Sequence, residues 1–369
     1  MPLKIGWTKS TGLNSRLLIR RFINAPVKHS RGGARRRLLL ELYDYLNLEL
    51  GPEPSKDAAG GIAEFTGTWT MIRPDTPNSG SLSFEIENRH RLGPPITPQS
   101  LFLDAGAYWP TAAAFSEFNT TLLSLYYDQS FLDGRAGVRV GKFLPFVVYD
   151  FFSLKNAKAD FNDAAFTLNP SIAWAAWGMG ATIFLKPTER TYINAGIHDL
   201  NGGAVQGIET FFTEREYFKV VDVGYNSKFS FGDGNIHVTY WNTDKREKQN
   251  LESSKGVTIG GEQQIGRFLP YFRYGYSTGG SSPLRHFVAG GMGFKNVFGR
   301  QDDLIAFGVS WGEPTNKELF VSQTATEAFY KFHLTKELAI TATVQYIQDP
   351  PLSVEDDLTV LGIRARAVF

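Results

Sequence analysis

Charged and aromatic side chains recur at even spacing in several short segments of this 369-residue chain. Glu85, Glu87 and Arg89 do so in one segment, Arg135 and Arg139 in a second, Tyr271 and Arg273 in a third, and Arg364 and Arg366 near the end. A longer, irregular stretch adds Tyr149, Asp150, Lys155 and Asp160. Carboxylates beside guanidinium groups offer acceptors and donors together, and aromatic faces cover apolar ring surface. Such a mixture suits solutes rich in hydroxyls, held weakly enough to leave again. For any single charge the plainer role is to solvate a wet wall and brace a neighbour across a strand pair. As a set, these residues are expected to carry selectivity.

The residues point to no reaction. A nucleophile needs a positioned base, and no serine–histidine arrangement stands out, although such triads assemble in space. His90 and His198 are isolated and lack metal-ligand spacing, so both read as wall or rim residues. The chain has no cysteine, which excludes disulfides and cysteine metal sites. Neither a metal nor a cofactor is expected.

Strands must position these side chains. From Ser81 to Arg89, Leu82, Phe84 and Ile86 alternate with Ser83, Glu85, Glu87 and Arg89, so a strand sends the two sets to opposite faces. Leu338, Ile340, Ala342, Val344 and Tyr346 alternate with polar residues in the same way, as do Leu361, Ile363, Ala365, Ala367 and Phe369 with Gly362, Arg364, Arg366 and Val368. Single strands of this kind also fit a water-soluble sandwich. Repetition over many strands of near-spanning length favours a barrel with a wet lumen and lipid outside.

Composition agrees. The 29 Phe, 15 Tyr, 7 Trp and 37 Gly against 4 Met suit short strands with aromatic girdles. No window approaches the roughly 18 to 20 apolar residues of a membrane helix, and mean hydropathy is −0.20. A transmembrane β-barrel passes this test because only alternate side chains meet lipid.

Net charge is uneven. Residues 1–37 hold ten Lys or Arg and no acid, leaving 28 bases against 37 acids in the remainder. The head has the charge of a nucleic-acid arm or transit segment but little aromatic interleaving, and nothing DNA-binding follows, so no nucleic-acid partner is expected. It reads as an upstream extension or a displaced start, with residues 38–369 forming the barrel. Ser15 to Pro26 lacks the apolar run of a secretory signal, roughly 7 to 15 residues.

Segments of spanning length fall at 38–49, 61–72, 80–92, 118–131, 135–143, 174–186, 191–199, 216–227, 235–242, 255–265, 269–277, 286–294, 304–312, 326–334, 338–348 and 358–369. The sequence thus predicts an all-β, antiparallel barrel of about 16 strands. Leu101 to Trp109 would make an odd number and is assigned to an outer loop. Short links at Pro187 to Arg190, Gly266 to Phe268 and Thr335 to Glu337 alternate with long ones, the longest being Leu144 to Ala173. Short periplasmic turns and long outer loops fit this architecture.

Several blocks resemble the carbohydrate-selective, OprB-like porin family. The most specific is Glu327-Ala328-Phe329-Tyr330-Lys331-Phe332, followed by Ile340-Thr341 and Val344-Gln345-Tyr346-Ile347-Gln348-Asp349-Pro350. Where the family usually has a proline after Ile-Thr, this chain has Ala342. Tyr271 to Tyr276, Asp302-Asp303 with Gly308-Val309-Ser310-Trp311, and Gly362 to Phe369 match in order. The similarity is strongest from about Pro270 to Phe369 and looser from Leu38 to Leu269.

The resemblance implies a passive outer-membrane channel for small sugars, with an inward-folded loop whose charged and aromatic groups form the constriction. A barrel of this kind is surrounded by outer-membrane lipids, and Phe369, a terminal aromatic on the lipid face, resembles the signal by which such barrels are recognised by the assembly machinery, the plainer role being a girdle aromatic. A general or anion-selective pore and a barrel enzyme are the alternatives.

Overall fold

A computed structural model describes residues 35–44, 56–73, 76–317 and 320–368. Sixteen strands lie among them: β1 (Arg35–Asp44), β2 (Asp57–Ile72), β3 (Gly80–Arg91), β4 (Phe118–Phe131), β5 (Ala136–Phe143), β6 (Gly178–Leu185), β7 (Thr191–Asp199) and β8 (Tyr217–Phe229). There follow β9 (Gly232–Thr243), β10 (Ser254–Gln263), β11 (Phe268–Gly279), β12 (Leu284–Lys295), β13 (Leu304–Pro314), β14 (Gln323–His333), β15 (Leu338–Gln348) and β16 (Asp357–Val368). Every strand pairs antiparallel with its sequence neighbours, and β1 pairs with β16 to close the barrel. Closure leaves no sheet edge unpaired at membrane depth.

Alternation is inverted relative to a soluble protein. Along β13, Phe307, Val309 and Trp311 are exposed while Ala306 and Ser310 are buried. Thr239, Arg273, Glu327, Gln345 and Arg364 are likewise buried on the inner face. A lipid-facing exterior and a polar interior covered by loops produce this pattern, whereas the buried face of a sandwich would be apolar.

Each of the sixteen expected segments contains a strand, residues 45–49 of the first lying outside the described residues, and Leu101 to Trp109 does not span: it holds a short helix, α1 (Leu101–Ala105), within the loop 92–117. Three boundaries are corrected. Pairing of Arg35, Arg36 and Arg37 with Thr66, Phe65 and Glu64 starts β1 before residue 38. Blocks of arginine and leucine hide the alternation there. Residues 1–34 and Phe369 lie outside the described residues. Strand β6 begins at Gly178 rather than 174, because the Trp174 indole donates to the Leu168 carbonyl and belongs to the preceding loop. Arg135 occupies the turn before β5, not the lumen wall, and its guanidinium donates to Pro187 O at 2.8 Å in the neighbouring turn. Leu132, Asp133 and Gly134 all have positive φ in that turn, and the alternation resumes at Ala136, one residue later than expected.

Short turns join the strands at one end, as at 132–135 and 264–267. At the other, L2 (92–117), L3 (144–177) and L4 (200–216) are long. The long-loop end is the extracellular one.

Candidate functional site

L3 crosses the lumen and is fastened to the middle of strands all round the wall. On one side the Lys158 ammonium lies 2.6 Å from a Glu64 oxygen and 3.3 Å from Glu85, and it also contacts Glu87. Arg89 donates to Glu87 at 2.6 Å. Beyond β1 on the same side of the barrel, Arg364 on β16 donates to Ala157 O at 2.8 Å and Asp160 O at 2.6 Å, and also to Asn162. Glu327 on β14 accepts the Asn162 and Asp163 N–H groups, both at 2.8 Å. Lys331 pairs with Asp160 at 2.7 Å. Bonds that involve a charged partner are the strong class, and here they address backbone groups that have no strand partner.

A second set holds the start and end of L3. Asp150 forms a buried ion pair with Arg273 and accepts from Asn169 and Thr258 at 3.3 Å. Its other neighbour is His237 at 3.4 Å. Arg273 also donates to Phe166 O at 3.1 Å. The Tyr149 hydroxyl bonds Thr182 at 2.7 Å and His198 at 3.0 Å. Lys155 donates to Phe146 O at 2.8 Å and Tyr149 O at 2.9 Å, drawing the loop onto itself.

The loop's titratable groups follow their surroundings. Burial alone would raise the Asp150 carboxyl, but the Arg273 guanidinium overrides it and holds Asp150 well below the usual carboxylate range. Burial pulls Lys155 down to about 8, against the attraction of Asp150. Burial acts the same way on Lys158, but Glu87, Glu64 and Glu85 together raise it above its ordinary value. For Asp163, burial and then the neighbouring Glu327 push the carboxyl well up.

Between these polar anchors the loop packs through aromatic rings. Phe152 lies 4.3 Å from Tyr271 between centroids, Phe161 lies 4.8 Å from Phe166, and Phe161 meets Phe329 edge-on at 5.0 Å. Glycine is required at 308, where a Cβ would collide with the Tyr271 hydroxyl and the Phe166 ring. L2 also folds inward, which the sequence reading did not anticipate. Trp109 packs edge-on against Phe287 at 6.2 Å, Gln345 donates to Thr111 O at 2.8 Å, and Ala113 N–H donates to Asn162 O at 2.9 Å. L2 and L3 thus form one body against β11 to β16.

Of the residues singled out from the sequence, Glu87, Arg89, Tyr149, Asp150, Asp160, Tyr271, Arg273 and Arg364 are buried in this assembly. Lys155 is half-buried in L3, and Arg366 is half-buried on the inner face of β16. Glu85 keeps 26% side-chain exposure where Glu87 has none, so Glu85 is the carboxylate of that strand that faces the lumen space. Arg139 makes two bonds to Asp128, at 2.8 and 2.9 Å, beneath the Tyr126 ring. His198 is a buried wall residue and His90 a partly buried one bonded to Asn88.

Sequence reasoning missed Glu64, Lys158, Asn162, Glu327 and Lys331. Parity on β2 could have placed Glu64 inside, since it lies two residues from Thr66 and four from Thr68 on one face. Nothing local indicates which acid meets Lys158. Oxygens of Glu64, Glu85 and Glu87 lie within 4.8 Å of one another, and Lys158 together with Arg89 offsets two of their three charges.

The model for the carbohydrate-selective porin, OprB family, matches residues 78–369. Among solved structures, Pseudomonas putida OprB in its high-pH structure has TM-score 0.74 and 14% identity, over 92% of this chain and 94% of that one. Porin AaxA of Chlamydia abortus is 22% identical over 260 residues, 68% of this chain and 58% of that protein. Porin AaxA of Chlamydia trachomatis serovar D is 21% identical over 188 residues, 50% of this chain and 40% of that protein. The chain therefore spans between 40% and 58% of the length of these curated relatives.

Proposed function

The chain belongs to the OprB family of carbohydrate-selective porins, and on that premise we propose that its outer-membrane barrel passes small carbohydrates by passive diffusion. The observation that carries this reading is the pairing of opposite charges among the groups along the lumen. Lys158 meets Glu85, Lys331 meets Asp160, and Arg139 meets Asp128. Paired opposite charges present donors and acceptors at full strength while the net field stays small, which favours a neutral polyhydroxyl solute over an ion. The channel thus has a positioning layer, made of Glu87, Arg89, Tyr149, Asp150, Asp160, Tyr271, Arg273 and Arg364, and a solute-facing layer in which Glu85, Arg139 and Arg366 join Lys158 and Lys331. Lys155 stiffens L3 from within. Arg135 sits in its turn as a brace.

An anion-selective pore is disfavoured by the same geometry, because Arg273 and Arg364 spend their guanidinium groups on L3. The barrel acts as a channel and not as an enzyme, and it needs no cofactor. Sugars are its permeating partners, outer-membrane lipids surround it, and the assembly machinery reads its last strand. Single-channel recording with a panel of sugars tests this proposal: hexoses are expected to reduce conductance reversibly, and a conductance indifferent to every sugar would reduce the protein to a general pore.

A further inference from the structure

L4 holds a feature that permeation does not use. Three side chains on three strands bind it, and each has the parity of the outer, lipid-facing surface. Lys142 shares the parity of exposed Val140, opposite to Arg139 and Phe143. Its ammonium donates to Ala204 O at 3.1 Å and Gln206 O at 2.6 Å. Asp199 points away from its neighbour His198, which bonds Tyr149 in the lumen, and it accepts from the Thr210 hydroxyl. Tyr217 shares the parity of exposed Val221 and Val223, and its hydroxyl donates to Phe211 O at 2.9 Å. L4, with its short helix α2 (Thr210–Thr213), therefore lies on the outside of the wall over β5 to β8.

The wall is low there. Strands β5, β6 and β7 have 8, 8 and 9 residues, against 13 and 12 in β8 and β9. A tilted strand needs roughly 9 to 11 residues to span the hydrocarbon, and a shortfall costs free energy through thinning of the bilayer. L4 turns Val205, Ile208 and Phe212 outward, 67%, 45% and 56% exposed, just above the apolar Val140 and Ile183 of the same wall.

We propose that L4 is a membrane-lying strap, which seats Val205, Ile208 and Phe212 in the acyl and headgroup boundary of outer-leaflet lipid and so completes the apolar height of the short strands. Continuity with the lipid-facing wall below identifies lipid as the occupant. The proposal rests on the outer-membrane placement of the barrel and not on what passes through it.

The absence of cysteine makes the test direct. Single variants Val205→Cys and Phe212→Cys carry a nitroxide in liposome-embedded protein, with Ile183→Cys as the wall control and Gln249→Cys, exposed in the L5 connection (244–253), as the aqueous control. The strap positions are expected to gain collision with oxygen and lose collision with a water-soluble nickel chelate, as Ile183→Cys does. Nickel collision equal to that at Gln249→Cys would overturn the proposal. Shielding from both reagents with spin–spin broadening would assign the face to a second copy and also overturn it. Nickel access at Ile183→Cys would instead fail the outer-membrane placement itself.

Discussion

Lys158 in L3 sets its ammonium 2.6 Å from the Glu64 carboxylate on β2, joining residues 94 apart in sequence at mid-height of the barrel. The pair ties the constricting loop to the wall, with only β1 between it and Arg364 on β16, and offsets part of the charge of a cluster of three acids. Structure and selectivity therefore share one side chain.

Lys158→Ala should have two effects. Removing one partner of a largely buried ionic cluster costs roughly 3–5 kcal/mol, so the barrel should unfold at lower temperature in a heat-modifiability assay on gels. The freed carboxylates should also make the pore cation-selective, read as a shift in reversal potential under a salt gradient. Unchanged selectivity would place the cluster off the permeation path.

Arg364→Lys should loosen L3 although charge is retained. A guanidinium fork serves Ala157 O, Asp160 O and Asn162 at once, and a single ammonium cannot reproduce that geometry. Faster liposome swelling with a disaccharide is expected, with hexose rates changed less. Equal gains for both solutes would mean that L3 does not set the size limit.

The Asp163 contribution to the loop's hold should weaken as pH rises from the acid range. Asp163, raised by burial and by Glu327, stays protonated when folded at a pH where the unfolded carboxyl is ionised. Its contribution is thus fully present at acid pH below the ordinary carboxylate value and is lost as pH rises through its own elevated one. Lys155, lowered to about 8, acts with the opposite sign, favouring the folded loop as pH rises from there toward its ordinary value. The diagnostic quantity is the difference between wild type and Asp163→Asn in the pH dependence of conductance, and identical profiles would contradict the assignment.

Trp109→Ala should release L2. The indole fills space against Phe287 and Gly312, and large-to-small changes at such sites cost roughly 3–5 kcal/mol. Protease cleavage within L2 of the outward-facing protein should appear in the variant and be absent from the wild type.

Strand count and parity were legible because lipid on one side and water on the other impose a period of two, as in Ser81 to Arg89 and Leu361 to Val368. Parity also placed Glu85, Arg273 and Arg364 inside. What it could not show is that burial by a loop converts several lumen charges from solute contacts into anchors. That outcome depends on long-range pairing, such as Glu327 with Asn162 and Asp163, for which no spacing rule exists. The inward fold of L2 was hidden for the same reason: Trp109, Thr111 and Ala113 find partners on β12, β15 and L3.

The central claim is preference for neutral carbohydrate at a charge-balanced constriction, and liposome swelling tests it most directly. Glucose should permeate faster than an amino acid of equal size in wild type, and that preference should shrink in Lys158→Ala. Equal rates for the two solutes in wild type would contradict the claim.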